Sequence, residues 1–152
     1  MSDFIPATIT LSGKLPVAAA IGDAFPLFSP AGEKLWIASW DPEYLYPPGA
    51  EWEQGQIFRT QEESGEAVWL VNHLDRAAHS AEYHRVEPGR YVARVTVGCE
   101  AVGRDRTEVS IAYTFIGLSE QGNRDITAMS QQDYDAKLVK WTEWIVNYLA
   151  TT

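Results

Sequence analysis

One cysteine, Cys99, occurs in the 152 residues. A lone thiol closes no internal disulfide and builds no cysteine cage for a metal, and it fits a reducing compartment. No apolar run approaches the roughly 20 residues that a membrane-spanning helix needs. Met1 to Thr10 has neither the basic nor the apolar region of a secretory leader. A cytoplasmic protein without membrane insertion is therefore expected. Positive charge is also scarce. Twelve Lys and Arg stand against 21 Asp and Glu, for a formal net charge of -9, and the basic residues form no run. Such a chain is repelled by phosphate backbones and anionic lipid surfaces, so nucleic acid is not an expected partner. No G-x-G-x-x-G or Walker loop is present, and no serine sits in a G-x-S-x-G elbow.

What is abundant is aromatic. Phe, Trp and Tyr make up 12% of the chain, six of them Trp, within a composition that is 45% apolar and 22% charged. That is globular material, and its length suits a single domain spanning 1–152. So large an aromatic inventory must line a core, a pocket or an interface.

The hydrophobic pattern predicts an α+β order. Thr8 to Leu15 alternates as a half-buried strand. Pro16 suits the first turn of a helix over Val17 to Phe25. Pro26 and Pro30 interrupt, and Gly32 to Trp40 reads as a second short helical or turn-like piece. Asp41 to Gly49, with three prolines, reads as a loop carrying Tyr44 and Tyr46 as apolar cover. Strands follow at Gln56 to Thr60, Ala67 to Leu74 and Ser80 to Val86. The cleanest two-fold alternation comes next: Tyr91, Ala93, Val95, Val97 and Cys99, then Val109, Ile111, Tyr113 and Phe115. Short turns between these runs mean an antiparallel meander. Gly117 to Ile126 breaks the last strand. Ser130-Gln131-Gln132-Asp133 is a helix start, and nothing interrupts a helix from there to Leu149. Its apolar stripe is Tyr134, Leu138, Trp141, Ile145, Tyr148 and Leu149, with Lys137, Lys140, Glu143 and Asn147 on the other side.

Several phrases carry a family resemblance. They are Phe25-Pro26-Leu27-Phe28-Ser29-Pro30 with Gly32-Glu33 and Trp36, then Trp40-Asp41-Pro42, Val68-Trp69, and Tyr83 with Pro88-Gly89. The last is Tyr113-Thr114-Phe115 through Gly117 to Asn123, leading into the final helix. Together they resemble the START-like (SRPBCC) superfamily, which includes Bet v 1-like pollen allergens and polyketide cyclase-like proteins. The resemblance implies a helix-grip fold: a curved antiparallel sheet of about six to seven strands wrapped on a long C-terminal helix, with two short helices after the first strand. It also implies a deep, largely apolar cavity between sheet and helix. The fold hosts binders, cyclases and interaction modules alike. The iron-bearing oxygenase branch is excluded, because the cysteines and the length it needs are missing.

The expected function is binding of an apolar lipid-, polyketide- or aromatic-like molecule in that cavity, with no cofactor and no metal. The candidate ligand-binding residues are Trp36, Trp40, Tyr44, Trp69, Tyr83, Tyr113, Phe115, Leu138, Trp141 and Ile145. Trp69, Tyr113 and Trp141 come from the three elements that should converge. Arg59, Arg85 and Arg94 sit beside polar or opposite-parity residues and are expected to point outward, which favours a neutral ligand. Glu33 and Asp41 are the carboxylates nearest the expected mouth. His73, His79 and His84 share one predicted hairpin but lack a metal-ligand spacing. Cys99 reads as a buried inert thiol. Two rivals stand beside the binding reading. One is a cyclase- or hydrolase-type enzyme, which needs a polar pair within the cavity. The other is an interaction module related to chaperone activators, which needs a filled core and an exposed apolar patch. A homodimer is left open.

Overall fold

A computed structural model describes residues 3–152. Met1 and Ser2, the first residues of the stretch read for a leader, lie outside the described residues. The chain begins with strand β1 (Thr8–Val17), followed by the short helix α1 (Ile21–Ala24), a 3-10 turn (Phe25–Phe28) and the short helix α2 (Pro30–Glu33). Strands β2 (Glu43–Tyr46), β3 (Ile57–Glu62), β4 (Gly65–Asp75), β5 (Ser80–Glu87), β6 (Tyr91–Gly103) and β7 (Arg106–Gly117) come next. Helices α3 (Glu120–Thr127) and α4 (Gln131–Ala150) close the chain. The seven strands form one antiparallel sheet in the order β1-β7-β6-β5-β4-β3-β2. This is the α+β helix-grip architecture.

The meander from β3 to β7 and the cap of α4 follow the expected pattern. Ser130 accepts a hydrogen bond from the Asp133 amide at 3.1 Å, satisfying one of the free donors at the helix start. Four segments differ from expectation. Pro16 opens no helix; it lies inside β1, opposite Glu108. β1 is an edge strand, where a residue without an N–H is tolerated. The helix expected over Val17 to Phe25 shrinks to α1, because Val17 completes the strand and Pro26 tightens the chain into a 3-10 turn. Within the expected loop at 41–49, Glu43–Tyr46 pairs with β3 as the other edge strand. Residues 120–127 form α3, capped by the Ser119 hydroxyl accepting from the Gly122 amide at 3.0 Å.

One face of the sheet carries the core. Leu11 and Leu15 of β1, Val95 and Val97 of β6, and Val109 and Ile111 of β7 are all buried. α4 lies across this face with Tyr134, Leu138 and Ile145 buried beneath it. The Tyr134 hydroxyl donates to the Ile111 carbonyl at 2.8 Å. The helix approaches β1 closely because Gly13 has no side chain: a Cβ there would sit 2.5 Å from Leu138 Cδ1.

A second close approach involves backbone alone. A Cβ on Gly122 would lie 1.6 Å from the Arg90 carbonyl oxygen. Gly122→Ala therefore must push α3 off the turn between β5 and β6. The expected cost is about 1–3 kcal/mol or somewhat more, read as a lower urea midpoint. A loss below about 0.5 kcal/mol would show that α3 floats on the sheet.

Candidate functional site

Residues from β3, β4, β5 and β7 face α2 and α4 at one end of the sheet. Alternation fixes which ones. On β3, Phe58, Thr60 and Glu62 share a face; on β4, Trp69; on β5, Tyr83 and Arg85; on β7, Tyr113. Deep in this region an inner void of only about 20 Å³ is lined by Phe28, Glu33, Trp69, Tyr83, Tyr113 and Trp141 among others. That space is about one water molecule wide. The deep apolar cavity implied by the resemblance is thus nearly filled by the protein's own rings. Phe58 stacks on Trp69 at 5.6 Å between centroids, and Trp40 stands edge-on to Trp69 at 5.4 Å.

The wider space lies at the mouth. A cleft of about 480 Å³ shares Glu33, Trp40, Trp69, Tyr113 and Trp141 with the inner void and adds Glu62, Arg85, Lys137 and Trp144. The outer face of the sheet has a larger, open depression of about 720 Å³, walled by residues such as Ser12, Thr96, Gly98, Ser110 and Ala112. Those residues stand low on one sheet face. The cleft instead has walls from the sheet and from two helices, so it surrounds an occupant on several sides.

The ten candidate residues divide between this cleft and the core. Trp40, Trp69, Tyr113 and Trp141 line the cleft and the inner void, and Tyr83 lines the void alone. Trp36, Phe115 and Ile145 are buried core. Leu138 is buried too and borders the groove beside β1. Tyr44 is half-buried against Phe58. Most polar tips are occupied. The indole N–H of Trp36 donates to Leu27 O, that of Trp40 to Pro30 O, and the Tyr83 hydroxyl to Phe28 O, at 2.8, 2.8 and 2.9 Å. These three bonds tie the 27–30 segment to the site walls. Trp69 Nε1 donates to Thr60 Oγ1 at 3.1 Å. Tyr113, by contrast, makes no hydrogen bond through its hydroxyl among the described residues, and it faces the cleft. Burial holds its ionisation well above the ordinary tyrosine range.

Two cations in the cleft differ from expectation. Arg85 does not point outward. It shares parity with buried Tyr83, and its guanidinium lies 5.6 Å from the Trp69 and Tyr91 ring centres. It is held by Glu62 at 3.3 Å and Glu87 at 3.5 Å. Arg59 and Arg94 do point outward, toward Glu43 and Glu82 respectively. Lys137, assigned to the polar side of α4, instead turns its ammonium over the Tyr113 and Trp141 rings, 4.6 and 4.7 Å from their centres. It forms no ion pair among the described residues. Loss of hydration, reinforced by Arg85, pulls its pKa down to about 8, against the opposing pull of Glu33 and Glu62.

Glu33 faces Lys137 from α2. Its carboxyl is enclosed by the cleft walls, and burial pushes its pKa up to about 8 despite the lowering influence of Lys137. The residue is half-buried and lines both the inner void and the cleft. A carboxyl raised from 4.5 to about 8 binds more protons folded than unfolded between those values, so its contribution falls as pH rises through that window. Glu33→Gln should flatten that fall and raise the melting temperature at pH 8 above that of the parent. An unchanged pH profile between 5 and 8 would show that Glu33 is an ordinary solvated carboxylate. Asp41 is exposed and pairs with Lys34 at 3.0 Å.

The histidines do not converge. His73 borders the outer depression, His84 Nδ1 pairs with Asn72 Oδ1 at 2.8 Å, and His79 sits in a turn at φ 53° with its ring edge-on to Phe25. No cluster of three or more His, Cys, Asp or Glu suited to a metal occurs among the described residues. Cys99 is half-buried, and burial pushes its thiol up to about 11. No helix among the described residues is long and apolar enough to cross a membrane.

The sheet order, the helix clasped across its inner face and the mouth at one end define the Bet v 1-like helix-grip fold. Solved structures share it. Norcoclaurine synthase from Thalictrum flavum, in complex with dopamine and hydroxybenzaldehyde, is 15% identical with a TM-score of 0.66, covering 93% of this chain and 88% of that one. A hypothetical protein from Helicobacter pylori is 13% identical with a TM-score of 0.71, covering 92% and 87%. Major latex-like protein 151 from Panax ginseng is 13% identical with a TM-score of 0.65, covering 91% and 95%. No family model matches the chain, and no curated protein is significantly similar in sequence.

Proposed function

We propose that this chain binds a small aromatic or acyl molecule bearing one hydrogen-bonding oxygen, seated at the mouth of the helix grip rather than deep inside it. The observation that carries this reading is the cleft of about 480 Å³, with Trp40, Trp69, Tyr113 and Trp141 on its walls and the Lys137 ammonium among them. Aromatic walls with a few polar groups are the usual make-up of a small-molecule site. The Tyr113 hydroxyl and the Lys137 ammonium, which find no acceptor among the described residues, are the groups that would meet the ligand's oxygen. Glu62 and Glu87 already neutralise Arg85, so a second, strongly anionic group on the ligand finds no free partner there.

The structural neighbours support a ligand-holding scaffold by fold alone. The test is a thermal-shift series with 2-naphthol, its saturated analogue and 1,5-naphthalenedisulfonate. At one hundred times Kd, a ligand that binds only the native state adds about 2.7 kcal/mol. Stabilisation by 2-naphthol and quenching of tryptophan fluorescence are expected. Stabilisation by the disulfonate alone would overturn the proposed polarity of the site.

A further inference from the structure

Lys137 is an unusual lysine for the surface of an acidic protein. The residue is exposed on α4, yet its amine lies over two aromatic rings, 4.6 and 4.7 Å from their centres, with the Tyr134 ring centre 5.8 Å away. Ring faces attract a cation by about 1 kcal/mol, which fixes where the nitrogen sits. Among the described residues no carboxylate forms an ion pair with it. The amine borders a cleft large enough for a bicyclic aromatic, and the Glu33 carboxyl and the Tyr113 hydroxyl border the same cleft.

We propose that Lys137 captures a carbonyl-bearing aromatic ligand as a covalent imine in this cleft, with Glu33 carrying the protons. The proposal rests on the cleft being the ligand site. In the first step the neutral amine attacks the carbonyl carbon, the C=O π pair moves to oxygen, and Glu33 protonates that oxygen. The nitrogen then loses a proton to the Glu33 carboxylate. In the second step the carbinolamine C–O bond breaks, the oxygen leaves as water after accepting a proton from Glu33, and the nitrogen lone pair forms C=N. The last N–H proton goes to solvent if the imine becomes neutral. The net change is amine plus aldehyde to imine plus water, with no oxidant or reductant. Lysines in desolvated, ring-lined pockets are suited to this chemistry because more of the amine is neutral near physiological pH.

The charged and titratable groups facing Lys137 are Glu33 from α2, Glu62 from β3, Arg85 from β5, Tyr113 from β7 and, one turn earlier on α4, Tyr134. Lys137 and Glu33 both titrate near pH 8. A free amine and a protonated acid therefore coexist best there, and capture should peak near that pH.

The chain has three other lysines, Lys14, Lys34 and Lys140, and they serve as internal controls. The protein is incubated with 2-naphthaldehyde and sodium cyanoborohydride, which reduces the imine to a stable amine, and labelling is mapped by peptide mass spectrometry. Lys137 should label at least tenfold faster than Lys140, one turn away on the same helix. 2-Naphthalenemethanol should compete, and Glu33→Gln should slow labelling of Lys137 several-fold without altering that of Lys140. Labelling of Lys137 no faster than Lys140 overturns the proposal. In that case, tryptophan quenching by 2-naphthalenemethanol would leave the binding reading standing, and its absence would remove both.

Discussion

Replacing Ile145 by alanine should cost about 2–5 kcal/mol of unfolding free energy. Ile145 is 1% exposed in the second half of α4 and belongs to the buried hydrophobic core. Truncation loses the transfer energy of the removed carbons and leaves a void that the surrounding packed side chains fill only in part. The next residue supplies the control. Val146 is 54% exposed, so Val146→Ala should change stability by no more than about 0.5 kcal/mol. Urea denaturation separates the two. Equal, small losses would mean that α4 is a loosely attached helix and that no grip exists.

Removing the Trp141 indole should abolish ligand stabilisation while leaving the fold intact. Trp141 is half-buried and lines both the inner void and the cleft. It stands edge-on to Trp36 at 5.7 Å and carries the Lys137 ammonium on its face. Trp141→Ala therefore removes the helix-side wall of the site and one of the rings that hold the amine. The thermal shift given by 2-naphthol should fall from several degrees to within error. The unliganded melting temperature should fall less than in Ile145→Ala, since the indole is not enclosed in the core. A full 2-naphthol shift in Trp141→Ala would place the ligand elsewhere.

The fold was legible wherever one physical rule dominated. Alternation over Tyr91 to Cys99 and Val109 to Phe115 placed β6 and β7, and the Ser130 cap placed the start of α4. Prediction failed where tertiary pairing overrode local signals. Pro16 looks like a helix starter until β1 proves to be an edge, and Glu43–Tyr46 is a strand only because β3 offers it partners. The site was half legible. Its aromatic walls follow from composition and spacing, but which polar tips remain free depends on the carbonyls of 27–30, which the sequence does not locate. Two charged residues were misassigned despite available signals. Arg85 is two residues beyond Tyr83 and so shares its face. Lys137 lies three after Tyr134 and four before Trp141, on the edge of the apolar stripe. Both were placed by charge when position was the better guide.

Chemical-shift mapping of the ¹⁵N-labelled protein during titration with 2-naphthol reports where a ligand sits as well as whether it binds. Binding in the cleft should shift the indole N–H signals of Trp40, Trp69 and Trp141 and the amides of Glu62, Arg85, Tyr113 and Lys137, all of which line it. Shifts confined to Ser12, Thr96, Gly98 and Ser110 on the outer face of the sheet, or no shifts at millimolar ligand, would contradict it.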